Sequence, residues 1–256
     1  MRITARVLAT LISGLTAAVA ADLSWKSAAQ RSAVIELYTS EGCNSCPPAD
    51  RWFSSLKRAP GLFQDFVPLA FHVDYWDYIG WSDRFASPAF SARQSRYAQV
   101  SGLSQVYTPG VLLQGREWRG WSGANGAPRS DRALVGPMEL LLDGKGQATL
   151  RWTPTAAGAT ALSGTVVLLG TELTTPVQRG ENAGRELHHD FVVLGLASGA
   201  LLRQQDRYQL SLPTPRLSNK APRYAIAAWV ASAANPTPIQ AVGGWLPAGW
   251  AGPASR

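Results

Sequence analysis

The sequence predicts an α/β fold in its N-terminal half, followed by a mostly antiparallel β domain. Three observations lead there. A β-rich run, Ala33 to Thr39, turns into Cys43-Asn44-Ser45-Cys46 and then into a helical pattern. The segments that follow read β-α-β-α-β-β in order. From Met138 onward, short apolar runs alternate with turn residues.

At the N-terminus, Arg2 and Arg6 precede an apolar stretch from Val7 to Val19, and Ala18-Val19-Ala20 reads as a small-x-small cleavage site. The stretch is shorter than the roughly 20 residues that span a bilayer. The expectation is a signal peptide over 1–20 and a periplasmic or secreted product, with no transmembrane segment after cleavage. The formal net charge is +7 over 256 residues. Basic residues are scattered, without a Lys/Arg run or a nucleic-acid motif, so no nucleic-acid partner is expected.

After Ala33–Thr39, Ser40-Glu41-Gly42 is a turn signal. Ala49 to Arg58 carries Trp52, Phe53 and Leu56 at helical spacing, and Ala59-Pro60-Gly61 stops it. Val67 to Tyr75 is a second strand, its alternation setting Leu69, Phe71 and Val73 opposite Ala70, His72 and Asp74. An aromatic loop, Trp76 to Phe85, precedes Ser87-Pro88, a cap and first-turn pair for a helix reaching Val100. Gly110 to Gln114 and Glu117 to Trp121 are strands either side of Gly115. These elements make a domain over 31–135. The runs MELLL, ATLRW, GTVVLLG, FVVLGLA, YQLSL and YAIAAWV make a β-rich domain over 136–256.

The two cysteines are the only ones in the chain. They make a poor structural staple, because the entropy a disulfide removes grows with the loop it closes. A Cys-x-x-Cys between a buried strand and its helix is instead the thioredoxin plan. Unpaired N–H groups and the helix dipole stabilise a thiolate there. Cys43 is therefore the expected nucleophile and Cys46 the resolving thiol. Pro47 and Pro48 modify the pattern, since the residue before a proline is pushed from helical geometry. Cys46 and Pro47 are expected to be extended or turn-like, with the helix starting near Pro48 and a weaker dipole effect on Cys43 than in thioredoxin.

Thr108-Pro109 stands where thioredoxin-like proteins place a cis-proline and bind substrate backbone, although sequence leaves the isomer open. Trp76, among Tyr75, Tyr78 and Trp81, offers either an apolar wall for substrate or cover for the core. Glu36 and Asp74 are candidates for a proton relay, an edge or paired role being the alternative for Glu36.

The run from Glu36 to Asp50 and the run His72-Val73-Asp74-Tyr75-Trp76-Asp77-Tyr78-Ile79-Gly80-Trp81, continuing through Pro88, are long and distinctive. With Arg179-Gly180-Glu181-Asn182-Ala183-Gly184-Arg185, Leu187 and His189, they resemble the secreted family catalogued as domain of unknown function 1223. The resemblance implies a thioredoxin-like N-terminal domain and a β-rich second domain, without a function. Phe191 departs from the small polar residue expected there, and His188 is an extra histidine.

The expected activity is thiol–disulfide exchange on exported proteins or small thiols, with no cofactor and no resident metal. The alternatives are a Cu(I) metallochaperone, with His72, His188 or His189 completing a site on the two thiolates, and a binding module with an inert disulfide. Glu181, Asn182, Arg185 and His189 form a polar cluster expected either to face Cys43 or to be a structural Arg–Glu pair with an asparagine turn.

Overall fold

A computed structural model describes residues 22–101, 105–124, 126–128, 130–156, 161–250 and 252. The expected signal peptide lies outside these residues. In the N-terminal half, β1 spans Leu23–Lys26, β2 Ala33–Thr39, α1 Pro47–Ser55, β3 Phe66–His72, α2 Pro88–Ser101, β4 Gly110–Leu113 and β5 Arg116–Glu117. Then follow β6 Met138–Leu142, β7 Gln147–Trp152, β8 Leu162–Thr171, β9 Leu173–Pro176 and β10 Glu186–His189. The chain closes with β11 Val192–Ala200, β12 Leu202–Gln204, β13 Arg207–Pro213, β14 Arg223–Ser232 and β15 Pro238–Trp245. None of the described helices is long and apolar enough to cross a membrane.

The fold is mainly β, which corrects the expected α/β class with a thioredoxin-like N-terminal domain. Strands from both halves form a single eight-stranded sheet in the order β15-β14-β8-β11-β3-β2-β4-β5. The joint is at β3. It pairs in parallel with β2 on one side and with β11 on the other, where Val192 is opposite Ala70. Ala70 N–H donates to Phe191 O at 2.8 Å. Left alone, the N-terminal half would expose the unpaired edge of β3, a costly arrangement for a long apolar strand. The C-terminal half covers it. In turn β1 leaves its own half and pairs with β6 in a second, five-stranded sheet, β1-β6-β7-β13-β12.

Register places the helices. Along β2, Thr39 donates to Asp50 of α1, while Glu36 meets Arg93 and Tyr97 of α2. Side chains separated by an odd number of residues point to opposite faces, so α1 and α2 cover opposite faces of the large sheet. Phe71 belongs to the α2 face, stacked on Tyr38 and edge-on to Phe90. His72, the register partner of Thr39, belongs to the α1 face. The second sheet lies against the C-terminal strands, and Trp25 of β1 sits directly over Gly244 of β15, where an added Cβ would fall 2.1 Å from its ring.

Boundaries differ locally from expectation. The strand expected over Glu117 to Trp121 ends at Glu117; Trp118 N–H still donates to Val111 O of β4, and the side chains of Trp118 and Trp121 pack on Trp52 of α1. In β6 and β7, buried and partly buried positions alternate as the apolar runs implied.

Candidate functional site

The site forms where the chain leaves the C-terminal ends of the parallel strands β2 and β3, the end at which such sheets bind ligands. Cys43 and Cys46 are joined by a disulfide, their Cα atoms 5.5 Å apart. Cys43 N–H donates to Ser40 O and Cys46 N–H to Cys43 O, closing a tight turn. Cys46 is itself helical (φ −77°, ψ −35°) and caps α1, which starts at Pro47. Of the two geometries expected from the prolines, Cys46 takes the turn-like one rather than the extended one, and Pro47, expected before the helix, is its first residue. The cost of helical geometry before a proline is offset, since Cys46 O accepts from both Ala49 and Asp50 N–H. Pro47 at the first helical position gives up only an N–H that lacks an intrahelical partner. Both cysteines are buried, Cys43 at 1% exposure, whereas Asn44 and Ser45 are exposed.

Around the pair lies a buried polar network drawn from separate segments. His189, at the end of β10, stands between two carboxylates. Its Nε2 is 3.5 Å from Glu41 Oε1 and its Nδ1 is 3.8 Å from Asp50 Oδ1. Neither contact reaches hydrogen-bond length. Both ring nitrogens and Glu41 Oε1 lack a hydrogen-bond partner among the described residues. Burial alone would push the imidazole pKa down, but Asp50 and Glu41 outweigh it and hold it up at about 10. The other oxygens are engaged: Trp81 Nε1 donates to Glu41 Oε2 at 2.8 Å, and Thr39 Oγ1 to Asp50 Oδ2 at 3.2 Å.

The ring of His72 stands edge-on to that of His189, with centroids 4.8 Å apart. Its Nδ1 is 2.6 Å from Asp83 Oδ2. Asp83 also accepts from the N–H groups of Glu41 and Phe85. Burial works against its charge, yet His72 and these donors hold its carboxyl below the usual range.

The connection between β9 and β10 crosses the cysteine loop. The amide nitrogen of Asn182, fully buried, donates to Glu41 O at 2.9 Å and to Cys43 O at 3.0 Å. Arg185 donates to Asn182 Oδ1 at 2.8 Å, and Glu181 Oε2 accepts from Asn44 N–H at 3.4 Å. The structure thus gathers Glu181, Asn182, Arg185 and His189 at a loop some 140 residues earlier in the chain. On the other flank, Trp76 Nε1 donates to Thr108 Oγ1 at 2.7 Å. Trp76 also packs on Gly42, where an added Cβ would lie 3.1 Å from its own Cβ. The Thr108–Pro109 peptide bond is cis. Beside Pro109 opens a cleft of about 450 Å³ lined in part by Tyr107, Trp118, Arg119 and Trp121.

Two candidates fall elsewhere. Glu36 faces α2, and Arg93 and Tyr97 of α2 together with Tyr38 of β2 donate to its carboxylate at 2.7–2.9 Å. Asp74 accepts from Ser91 Oγ of α2 at 2.5 Å. Both belong to the packing of α2. His188 is exposed and lies 3.5 Å from Glu186. Among the described residues, no group of three or more His, Cys, Asp or Glu side chains has metal-holding geometry. Glu41, Asp50 and Asp83 escaped notice in the sequence. The available signal was two carboxylates bracketing the cysteines, two residues before Cys43 and four after Cys46.

A family model described as protein of unknown function (DUF1223) matches residues 34–231. Among solved structures, the chain is similar to a protein from Agrobacterium tumefaciens, with 24% identity and a TM-score of 0.56, over 84% of this chain and 94% of that one. It is also similar to HBP35 of Porphyromonas gingivalis, with 15% identity and a TM-score of 0.56, over 85% of this chain and 76% of that one. At these identities the likenesses show a shared fold alone. The first spans both halves of the chain. No curated protein matches it.

Proposed function

Because the chain belongs to the DUF1223 family of proteins of unknown function, which brings no activity with it, we propose one from the site: an exported thiol–disulfide oxidoreductase acting on exported proteins or small thiols. The observation that carries this reading is the Cys43–Cys46 disulfide at the N-terminus of α1, with Glu41 of the cysteine loop and Asp50 of α1 facing His189 of β10. The positive end of the α1 dipole favours a thiolate at that place, without free helix-terminal N–H groups, since Pro47 and Pro48 carry none and those of Ala49 and Asp50 donate to Cys46 O. The basic, apolar N-terminal segment supports export, and export supplies a compartment where disulfides persist.

With the pair reduced, the Cys43 thiolate attacks one sulfur of a partner disulfide. That S–S bond breaks, and the other partner sulfur leaves as a thiolate and takes up a proton. Cys46, deprotonated, then attacks Cys43 Sγ, re-forms the Cys43–Cys46 bond and expels the second partner sulfur, which is protonated in turn. Two electrons pass to the partner, and the two cysteine protons end on its thiols. The reverse sequence oxidises a partner dithiol. Cys43 is 1% exposed when oxidised, so exchange requires the cysteine loop to open to a partner sulfur.

The test is a Cys46→Ser variant of the full chain, which should accumulate mixed disulfides with exported proteins that dissolve on reduction. No adducts, together with a reduction potential below about −300 mV for the native pair, would overturn the reading in favour of an inert disulfide.

A further inference from the structure

The exchange steps assign no task to His189, yet it is buried against the residues that bracket the cysteines. Glu41 lies two residues before Cys43. Asp50 lies one helical turn after Cys46, its N–H donating to Cys46 O. Two buried carboxylates so placed oppose a thiolate by like-charge repulsion. The imidazole between them comes from β10, 148 residues after Glu41 and 139 after Asp50.

Three features fix its position. Both ring nitrogens and Glu41 Oε1 are buried without a hydrogen-bond partner among the described residues, so the group is held by charge rather than by a neutral acceptor. The ring is edge-on to both His72 and Phe85. Two residues on, Phe191 adopts a left-handed backbone (φ 58°) with its ring edge-on to Phe53 and Phe63, anchoring the turn from β10 into β11. A buried aromatic residue in that conformation is strained and is held by its surroundings. The titratable groups around the imidazole are Glu41 before α1, Asp50 on α1, and His72 on β3 with Asp83 behind it. Neighbouring Asp190 is occupied by Lys57 at 2.8 Å.

We propose that His189 is a positioning residue for the redox pair, its positive charge offsetting Glu41 and Asp50 and so setting the acidity of the Cys43 thiol. The second half of the chain then tunes the chemistry of the first. The inference rests on the thiol–disulfide reading above.

The test is alkylation of the reduced, full-length protein with iodoacetamide across about pH 5 to 10, with Cys43 and Cys46 resolved by mass spectrometry. His189→Gln should move the Cys43 profile to higher pH and slow its alkylation about tenfold at neutral pH. Glu41→Gln should move it to lower pH, and the double variant should return it toward the native profile. A folded His189→Gln protein with an unmoved profile overturns the proposal. If His189→Gln does not fold, Glu41→Gln decides by its sign, and a shift to higher pH overturns the proposal. Alkylation needs no partner. An absence of trapped partners therefore counts against the oxidoreductase reading, while an unmoved profile beside trapped partners counts only against His189.

Discussion

Asn182 sets both hydrogens of one side-chain amide on the carbonyls of Glu41 and Cys43, and Arg185 satisfies its oxygen. Truncating it strands two acceptors, at about 1–3 kcal/mol for each that stays buried and unpaired. Asn182→Ala should lower the urea midpoint by a corresponding amount and speed reduction of the disulfide by dithiothreitol. Glu36 behaves differently, because its partners are Arg93, Tyr38 and Tyr97 on the far face of the sheet. Glu36→Gln leaves Arg93 as a buried charge without its counter-ion, a loss of about 3–5 kcal/mol. It should destabilise the protein in chemical unfolding and leave the Cys43 alkylation profile in place, which a relay residue would not do. His189 gives a pH signature. Its folded pKa, about 10, stands above its ordinary 6.5. The stability it contributes is complete below pH 6.5 and drains away as pH rises toward 10. The Tm of the native protein should therefore fall over that window more steeply than that of His189→Gln. Asp83 works oppositely: its lowered pKa contributes stability that is lost on acidification below the ordinary carboxylate range.

At the scale of elements, the decisive piece is the β9–β10 connection, which brings the polar cluster onto the cysteine loop. Gly180 within it has a positive φ of 76°, and an added Cβ would lie 3.2 Å from Trp81 Cβ. Gly180→Ala should destabilise the fold by at least about 1 kcal/mol and loosen Trp81 from Glu41, visible as a change in tryptophan fluorescence. The start of α1 was legible in kind and misplaced in detail. The rule that residues before proline avoid helical geometry did not hold at Cys46, because the backbone bonds from Ala49 and Asp50 to its carbonyl favour the helix. The strand expected over Glu117 to Trp121 was overread: it ends at Glu117, and the side chains of Trp118 and Trp121 pack on Trp52 of α1.

For the whole molecule, the two halves share one ladder through β3 and β11, and β1 belongs to the second sheet. A fragment spanning residues 31–135 loses the cover of β11 over β3 and His189 between Glu41 and Asp50. It should show no cooperative unfolding transition and should aggregate; a sharp transition equal to that of the intact chain would contradict the shared sheet. The sequence was enough to single out Cys43 and Cys46, to locate both helices and most strands, and to single out Glu181, Asn182, Arg185 and His189. The helices and strands were read from turn chemistry, capping and periodicity, which act over a few residues, and the polar cluster from the resemblance to the family. Only the tertiary structure decided that the fold is mainly β, that Glu36 and Asp74 serve α2, and that Glu41, Asp50 and His189 meet beside the disulfide. Strand order across a sheet and the face a side chain shares with a distant segment are set by long-range pairing, and no local pattern encodes them.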